Sequence, residues 1–309
     1  MSGATGPVVG IDLGGTKIHA GLVDGTGALI AEASIPTHEA GTTVSGQIAR
    51  VVSLVCEKAG TDAGAIAATG IGGAGATQGD GFTLAPNLEG TGDAFGIGLA
   101  TLLGHPVVLD NDVNVAALGE LERGVGAEHQ DFVVITVGTG IGMGIIARGS
   151  LVRGASGAAG EIGFLPFGTD PLRESSRRRG ALEEAVAGDA IVARYRELSG
   201  ADISSREVFR LAADGDATAI RVVDDEARWI ATAIAAVRSI LDPGLVVLGG
   251  GIGSRTDLLE RTREWMLRLG VGDLPVRHST LGALAPVFGA ARLAREHTPS
   301  DIPAKGQAA

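Results

Sequence analysis

Apolar residues in this 309-residue chain fall into short runs closed by glycine, and the pattern of runs comes round twice. Val8–Asp12, Lys17–Asp24 and Ala28–Ile35 predict three successive strands, with Asp24-Gly25-Thr26-Gly27 as the turn between the last two. From Thr43 to Lys58 the spacing becomes helical, with Val44, Ile48, Val51, Val52 and Val55 on one face. Ala65–Ile71 predicts a strand, Phe82–Leu84 a short strand and Pro86-Asn87-Leu88 a loop. Thr91 is a candidate cap for a helix running to Leu103. Pro106–Leu109 returns as a strand and Val113–Arg123 as a helix.

The opening pattern then repeats. Asp131–Val137 predicts a buried strand, Gly138-Thr139-Gly140-Ile141-Gly142-Met143-Gly144 a glycine hairpin, and Ile145–Arg148 the strand leaving it. This repetition predicts an internally duplicated α/β fold with the ligand between the halves. Gly154–Gly160 and Gly168–Gly180 read as loops. Ala181 onward reads as a helix carrying Glu183 and Glu184 in its first turn, where carboxylates complement the helix dipole. Further helices are expected near Asp189–Leu198, Ser205–Ala213 and Asp216–Leu241, the last long and buried. Leu245–Leu248 predicts a strand ending in the turn Gly249–Gly253, followed by a helix to Leu269. A terminal helix spans Pro286–Glu296, and the tail beyond it is expected to be disordered.

Composition narrows the classes. Hydrophobic residues make up 45% and charged residues 20%, a globular balance. Glycine stands out at 50 residues, where about 22 would be usual, which points to backbone approaching ligands or other backbone. A net charge of -11 argues against nucleic acid as a partner, because phosphate neutralisation needs a basic face. A single cysteine, Cys56, excludes an internal disulfide framework and a cysteine-based zinc site. Met1–Pro7 has neither a basic n-region nor an apolar h-region, and no apolar run reaches the ~20 residues of a membrane span; the expectation is a cytoplasmic protein without a membrane partner.

Candidate chemistry gathers at the ends of predicted strands. Gly10-Ile11-Asp12-Leu13-Gly14-Gly15-Thr16-Lys17 places Asp12 at a strand's carboxyl end, where open α/β sheets bind ligands. Gly14 and Gly15 allow amides to approach an anion, and Thr16 and Lys17 add a hydroxyl and a cation. The next run is a strand, so this is a hairpin and not a P-loop, which opens a helix. Gly70–Gly75 matches the dinucleotide pattern G-x-G-x-x-G, but a turn sequence follows where a helix is required. It reads instead as a loop that admits a small ligand, with Gly73 and, further on, Asn87 as candidate substrate contacts.

Asp110-Asn111-Asp112 ends a strand and opens a helix. Alone it reads as a cap. No nucleophile elbow, S-x-x-K, HExxH or CxxC is present, which disfavours serine hydrolysis and zinc catalysis. Phosphoryl transfer needs only a carboxylate to take a hydroxyl proton, with dipoles and a metal to hold the transferring group. Asp112 is the candidate base, and Asn111, Asp112, Glu161 and Glu183 are acceptors suited to several hydroxyls. The run Arg177-Arg178-Arg179 reads as a solvated face.

Taken together these motifs resemble the ROK (repressor, ORF, kinase) sugar kinases of the actin/hexokinase/Hsp70-like ATPase superfamily, from Val8 to about Arg295. Asp12–Lys17 is similar to the family's first phosphate motif, Asp110–Glu120 to its catalytic segment, Gly138–Gly144 to its second phosphate motif and Leu248–Gly251 to its adenosine motif. The resemblance implies a duplicated actin-like, ribonuclease H-like ATPase fold of two lobes with the active site in the cleft. The first lobe would span 1–112, completed by the helix 286–297, and the second 113–285, with 298–309 as the tail. It implies ATP and Mg²⁺, with Asp12 positioning the metal through water, and Gly14, Gly15, Thr16, Lys17, Thr139 and Gly140 holding phosphates. Gly250 and Gly251 would back the adenosine, and a hexose, glucose first, would be held by Asn111, Asp112, Glu161 and Glu183. It also implies a homo-oligomer, a dimer or tetramer.

The chain departs from the family pattern where a histidine and a C-x-C-G-x-x-G-C cluster usually bind zinc. Phe164 replaces the histidine, and Glu174-Ser175-Ser176-Arg177-Arg178-Arg179-Gly180-Ala181-Leu182-Glu183 contains no cysteine. No zinc site is expected. Alternatives are a polyphosphate donor, which Arg177–Arg179 could serve, another sugar (fructose, mannose, allose or N-acetylmannosamine), or a sugar-sensing regulator without turnover.

Overall fold

A computed structural model describes residues 6–78, 81–83, 91–92 and 94–297. It forms two compact units. The first comprises residues up to Arg123, Gly154–Gly157 and the chain from Ala283; the second comprises Gly124–Arg153 and Ala158–Gly282. The first unit thus extends beyond the boundary expected at Asp112 and keeps the helix that follows. No described helix is long and apolar enough to cross a membrane.

In the first unit, strands β1 (Val8–Leu13), β2 (Lys17–Val23) and β3 (Leu29–Pro36) form the predicted antiparallel meander. Helix α1 (Val44–Ala59) follows, its Thr43 side chain accepting the Gly46 amide at 3.1 Å and its end closed by Gly60 in the left-handed region. Strands β4 (Ala68–Gly73) and β7 (Val107–Asn111) extend the sheet in parallel, in the order β3-β2-β1-β4-β7. Between them, β5 (Ala76–Gln78) pairs with β6 (Gly81–Thr83); the sequence predicted a short strand at Phe82–Leu84 but a turn where β5 lies. Helix α2 runs Phe95–Leu103, so Thr91 is not its cap. Asn87 and the expected disordered tail 298–309 lie outside the described residues.

The two faces of this sheet are packed by different means. Val9, Ile11 and Leu13 alternate onto one face and meet Ile48, Val51, Val52 and Val55 of α1. Each such side chain contributes roughly 1.5–3 kcal/mol by leaving water. On the other face lies the terminal helix, Ala285–Glu296. A Cβ placed on Gly10 would sit 2.0 Å from the Val287 carbonyl oxygen, and one on Gly70 1.9 Å from that of Ala290. The same helix packs on α3 (Asp112–Arg123) through Gly119 and Gly289, where added Cβ atoms would lie 2.0 and 1.6 Å from carbonyl oxygens. These glycines are spent on backbone-to-backbone packing.

The second unit repeats the arrangement. Strands β8 (Phe132–Val137), β9 (Ile141–Ala147) and β10 (Ser150–Leu151) run antiparallel, and β11 (Val246–Gly249) and β12 (Val276–His278) add in parallel, in the order β10-β9-β8-β11-β12. The duplication expected from the sequence is present; β10 and β12 were too short to be read from it. Helix α4 (Glu174–Arg179) occupies part of the expected loop 168–180. Helix α5 (Gly188–Ser199) matches the one expected near Asp189–Leu198, but the separate helix expected from Ala181 does not form. Residues 181–187 are turns, because Gly163 draws off the Leu182 and Glu183 amides into its own carbonyl, at 3.0 and 3.2 Å. The first-turn acid of α5 is therefore Asp189, not Glu183 or Glu184. Helices α6 (Ser205–Ala213) and α7 (Ala217–Leu241) match the prediction, and α7 lays Val222, Ala227, Ile230 and Ile234 into the core. After β11 the predicted glycine turn is a short helix α8 (Gly250–Gly253), and α9 (Thr256–Arg268) completes the unit.

Candidate active site

Strand register places the first-unit candidates. Asp12 pairs with Gly72, which pairs with Asp110; Leu13 pairs with Gly73, which pairs with Asn111. Asp12, Gly73 and Asn111 are thereby brought to the carboxyl edge of the parallel strands, with Asp112 one residue further, opening α3. Asp12 lies on the sheet face that takes the terminal helix, by alternation from Gly10.

The triplet at β7–α3 divides its labour. Asp110, buried at 1% exposure, accepts the Asn111 amide and the Asn114 side-chain amide, both at 2.8 Å. Asn111 Oδ1 accepts the Val113 and Asn114 amides at 2.9 and 3.3 Å, while its Nδ2 donates to the Gly75 carbonyl at 3.1 Å. The capping expected of the triplet is thus performed by Asn111. Asp112 Oδ1 accepts the Val113 amide at 2.8 Å, and its own backbone amide also bonds the carboxylate. Burial pushes its carboxyl above the ordinary carboxylate range, against the pull of the Val113 amide.

Asp12 is pushed up to about 6, first by burial and then by the charge of Asp112, with His19 and Lys17 opposing. His19 is the residue that sequence reading missed. It pairs with Asp12 across β1–β2, and its Nε2 meets Glu32 Oε2 at 3.0 Å. Only strand register could have found it, since no motif spacing marks it.

The hairpin after β1 has amides for an anion, with one exception: Gly14 donates to the Lys17 carbonyl at 3.0 Å and so closes the turn. Donors there fall to Gly15 and Thr16, both solvent-accessible, beside the exposed Lys17.

In the second unit, Thr139 stands exposed at the tip of the β8–β9 hairpin, next to Gly140. A Cβ on Gly140 would lie 2.6 Å from Glu183 Oε2. Glu183 Oε2 accepts the Ile141 amide at 3.3 Å, and burial raises its pKa while that amide and Arg179 lower it. Glu161 precedes a 3₁₀ turn, Ile162–Phe164, that the Gly163 carbonyl ties to Leu182 and Glu183. The structure therefore brings Thr139, Gly140, Glu161 and Glu183 into one neighbourhood of this unit. Phe164 is 49% exposed. Gly250 holds φ at +81°, with room for a Cβ only 2.5 Å from the Val137 carbonyl oxygen, and Gly251 faces open space. Both begin α8 at the end of β11.

The residues fit Mg²⁺ and a nucleotide. Mg²⁺ is held by one or two carboxylates together with substrate phosphates, not by an all-protein cage. Asp12, destabilised in its charged form by burial and by Asp112, is a carboxylate that a cation would relieve. The glycine turns at Gly15–Thr16, Thr139–Gly140 and Gly250–Gly251 leave backbone approachable by phosphate and ribose.

A ROK family model matches residues 8–297. The glucokinase of Streptomyces coelicolor is 33% identical over 320 residues, covering 95% of this chain and 99% of that protein. The N-acetylmannosamine kinase of Yersinia pseudotuberculosis is 33% identical over 298 residues, covering 94% of this chain and 99% of that one. A solved structure of a ROK family glucokinase from Streptomyces griseus in complex with glucose and AMPPNP superposes with a TM-score of 0.75 at 29% identity, covering 94% of this chain and 100% of that chain.

Proposed function

The chain belongs to the ROK family and is a sugar kinase, and on that premise we propose that it transfers the γ-phosphoryl group of ATP to a hexose hydroxyl with Asp112 as general base. The observation that carries this reading is the division of labour at β7–α3. Asn111 and Asp110 take the larger share of holding the helix start, which supports Asp112 as the carboxylate that meets a substrate proton. Burial raises its proton affinity, which suits a base that must take a proton from a hydroxyl.

In the first unit, Asn111 and Gly73 contribute to the sugar side. Gly15, Thr16 and Lys17 receive phosphate, with Gly14 shaping their turn. Asp12 positions Mg²⁺, which when bound neutralises phosphate charge during transfer. In the second unit, Glu161 and Glu183 accept sugar hydroxyl protons, Thr139 and Gly140 donate to phosphate, and Gly250 and Gly251 lie against adenosine. Asn87 is retained as a sugar contact on the sequence pattern alone. Glucose is the first choice of sugar, supported by the glucokinase relatives. N-acetylmannosamine, fructose, mannose and allose follow, since a kinase of the first is equally similar and an aromatic ring stands at position 164. We further infer zinc independence, supported by the single cysteine, Cys56, and, from the family resemblance, a cytoplasmic homo-oligomer, a dimer or tetramer.

A coupled ADP-release assay with Mg-ATP and glucose, mannose, fructose, allose, N-acetylglucosamine and N-acetylmannosamine tests this. Turnover on one sugar is the expected result. Silence with ATP but turnover with polyphosphate would move the donor assignment. Silence with both would leave a sugar sensor.

A further inference from the structure

We propose that Thr169, Ser176 and Glu184 form a hydroxyl–carboxylate staple that positions the neighbouring Glu183 for substrate, a role that rests on the sugar-kinase reading of Glu183. Ser176, 3% exposed, donates its hydroxyl to Glu184 Oε2 at 2.6 Å, and Thr169 donates to the same oxygen at 3.0 Å. The two hydroxyl oxygens lie 3.1 Å apart, so the three side chains form one closed cluster. A carboxylate oxygen receiving two hydroxyls is a strong, charge-assisted anchor. These hydroxyl bonds hold Glu184 below the usual glutamate range, while burial moves Glu183 the other way. Two consecutive glutamates thus have opposite environments. One is a fixed anion satisfied by protein hydroxyls, and the other accepts the Ile141 amide at the long distance of 3.3 Å.

The segment needs such an anchor because it is not a helix. Residues 181–187 are turns, tied outward at successive positions. Thr169 N donates to the Ala181 carbonyl at 3.2 Å, Leu182 and Glu183 N to Gly163, and Arg194 Nη2 to the Ala185 carbonyl at 2.7 Å. Gly168, at φ +105°, abuts the same stretch, with a Cβ there 2.7 Å from that of Ala185. At position 184 the tie by side chain is the staple. The Glu183 carboxylate lies against Gly140, where a Cβ would be 2.6 Å from Oε2. A displacement of about 1 Å in a substrate-positioning group can cost as much as a hundredfold in rate.

The test compares Ser176→Ala, Thr169→Val, Glu184→Gln and Glu183→Gln in the full chain, with steady-state kinetics for sugar and ATP separately and a melting curve for each. The expected result is a rise in sugar KM on the order of tenfold for Ser176→Ala and Glu184→Gln. ATP KM should be unchanged, the melting curve should remain cooperative, and Ser176→Thr should restore sugar KM. If Glu183→Gln raises sugar KM and the staple variants do not, the staple is overturned and the reading of Glu183 stands. If Glu183→Gln itself leaves sugar KM unchanged, the reading of Glu183 fails. Equal changes in sugar and ATP KM, or loss of the folded transition in Thr169→Val and Ser176→Ala alike, would make the cluster structural only and overturn the proposal.

Discussion

The charge of Asp112 raises the pKa of Asp12, second only to burial among the causes that push that carboxyl up to about 6. The two residues come from the end of β1 and the start of α3, and parallel pairing through β4 and β7 brings them to the same sheet edge. Like charges held near one another in a partly desolvated place favour a proton or a cation between them, as the roles proposed for Asp112 and Asp12 require.

Replacing Asp112 isolates the proposed proton transfer. Asp112→Asn keeps shape and loses the carboxylate, so kcat should fall by about 10²–10⁴ or more. Sugar binding should remain measurable by calorimetry. Turnover within tenfold of the parent would remove Asp112 from that role.

Asp12 should make stability depend on pH. Burial and Asp112 push the folded carboxyl up to about 6, from the 3.8 of an unperturbed aspartate. Between those values the native state keeps a proton that the unfolded chain has lost, so stability falls as pH rises through that window. Above about 6 the whole cost is present. Asp12→Asn should therefore flatten the slope between pH 4 and 6 and raise Tm by a few degrees at pH 8, while abolishing Mg²⁺-dependent turnover. An unchanged slope in melting curves recorded across pH would contradict this.

Asn111 carries two jobs that substitution can separate. Asn111→Ala removes the cap of α3 and should cost about 1 kcal/mol, together with the tether to Gly75. Asn111→Ser keeps a capping oxygen and loses the tether. Both should raise sugar KM, but only the alanine variant should lower Tm; identical melting temperatures would argue against the capping role.

Glycines under the terminal helix should be costly to fill without touching chemistry. Gly70→Ala puts a methyl 1.9 Å from the Ala290 carbonyl oxygen. Backbone must move, at a cost of about 1–3 kcal/mol or more. The expected outcome is a lower denaturation midpoint with kcat of the folded fraction preserved. A midpoint equal to the parent's would show that the helix can shift freely.

Metal analysis checks the residues that replace cysteines. Glu174, Ser176 and Ala181 offer no thiolate, and Ser176 is committed to Glu184. Purified protein should contain far less than one zinc per chain, and a zinc-selective chelator should change neither Tm nor sugar KM. Near-stoichiometric zinc would overturn that expectation.

The sequence by itself determined what is local and periodic. The strand–glycine–strand hairpins at Asp12–Lys17 and Gly138–Gly144, the strand ending at Asp110–Asp112 and the long apolar stripe of α7 were legible, because side-chain alternation and helical spacing are written in neighbouring residues. The repetition of the first half in the second was legible for the same reason. What tertiary structure alone decided depends on partners far along the chain. Residues 181–187 carry a helical pattern, yet the Gly163 carbonyl takes two of their amides, and a bond to a distant loop outweighs propensity there. Gly70 opens a pattern that read as admitting a ligand, but the terminal helix consumes it, as it does Gly10, which no local window reveals. Asp110, Asn111 and Asp112 are chemically similar and adjacent, so only their hydrogen bonds distinguish the scaffold, the cap and the candidate base. His19 faces Asp12 and Glu184 anchors the turn beside Glu183 for the same physical reason: the environment of a charge is set by what folding packs around it, not by its neighbours in sequence.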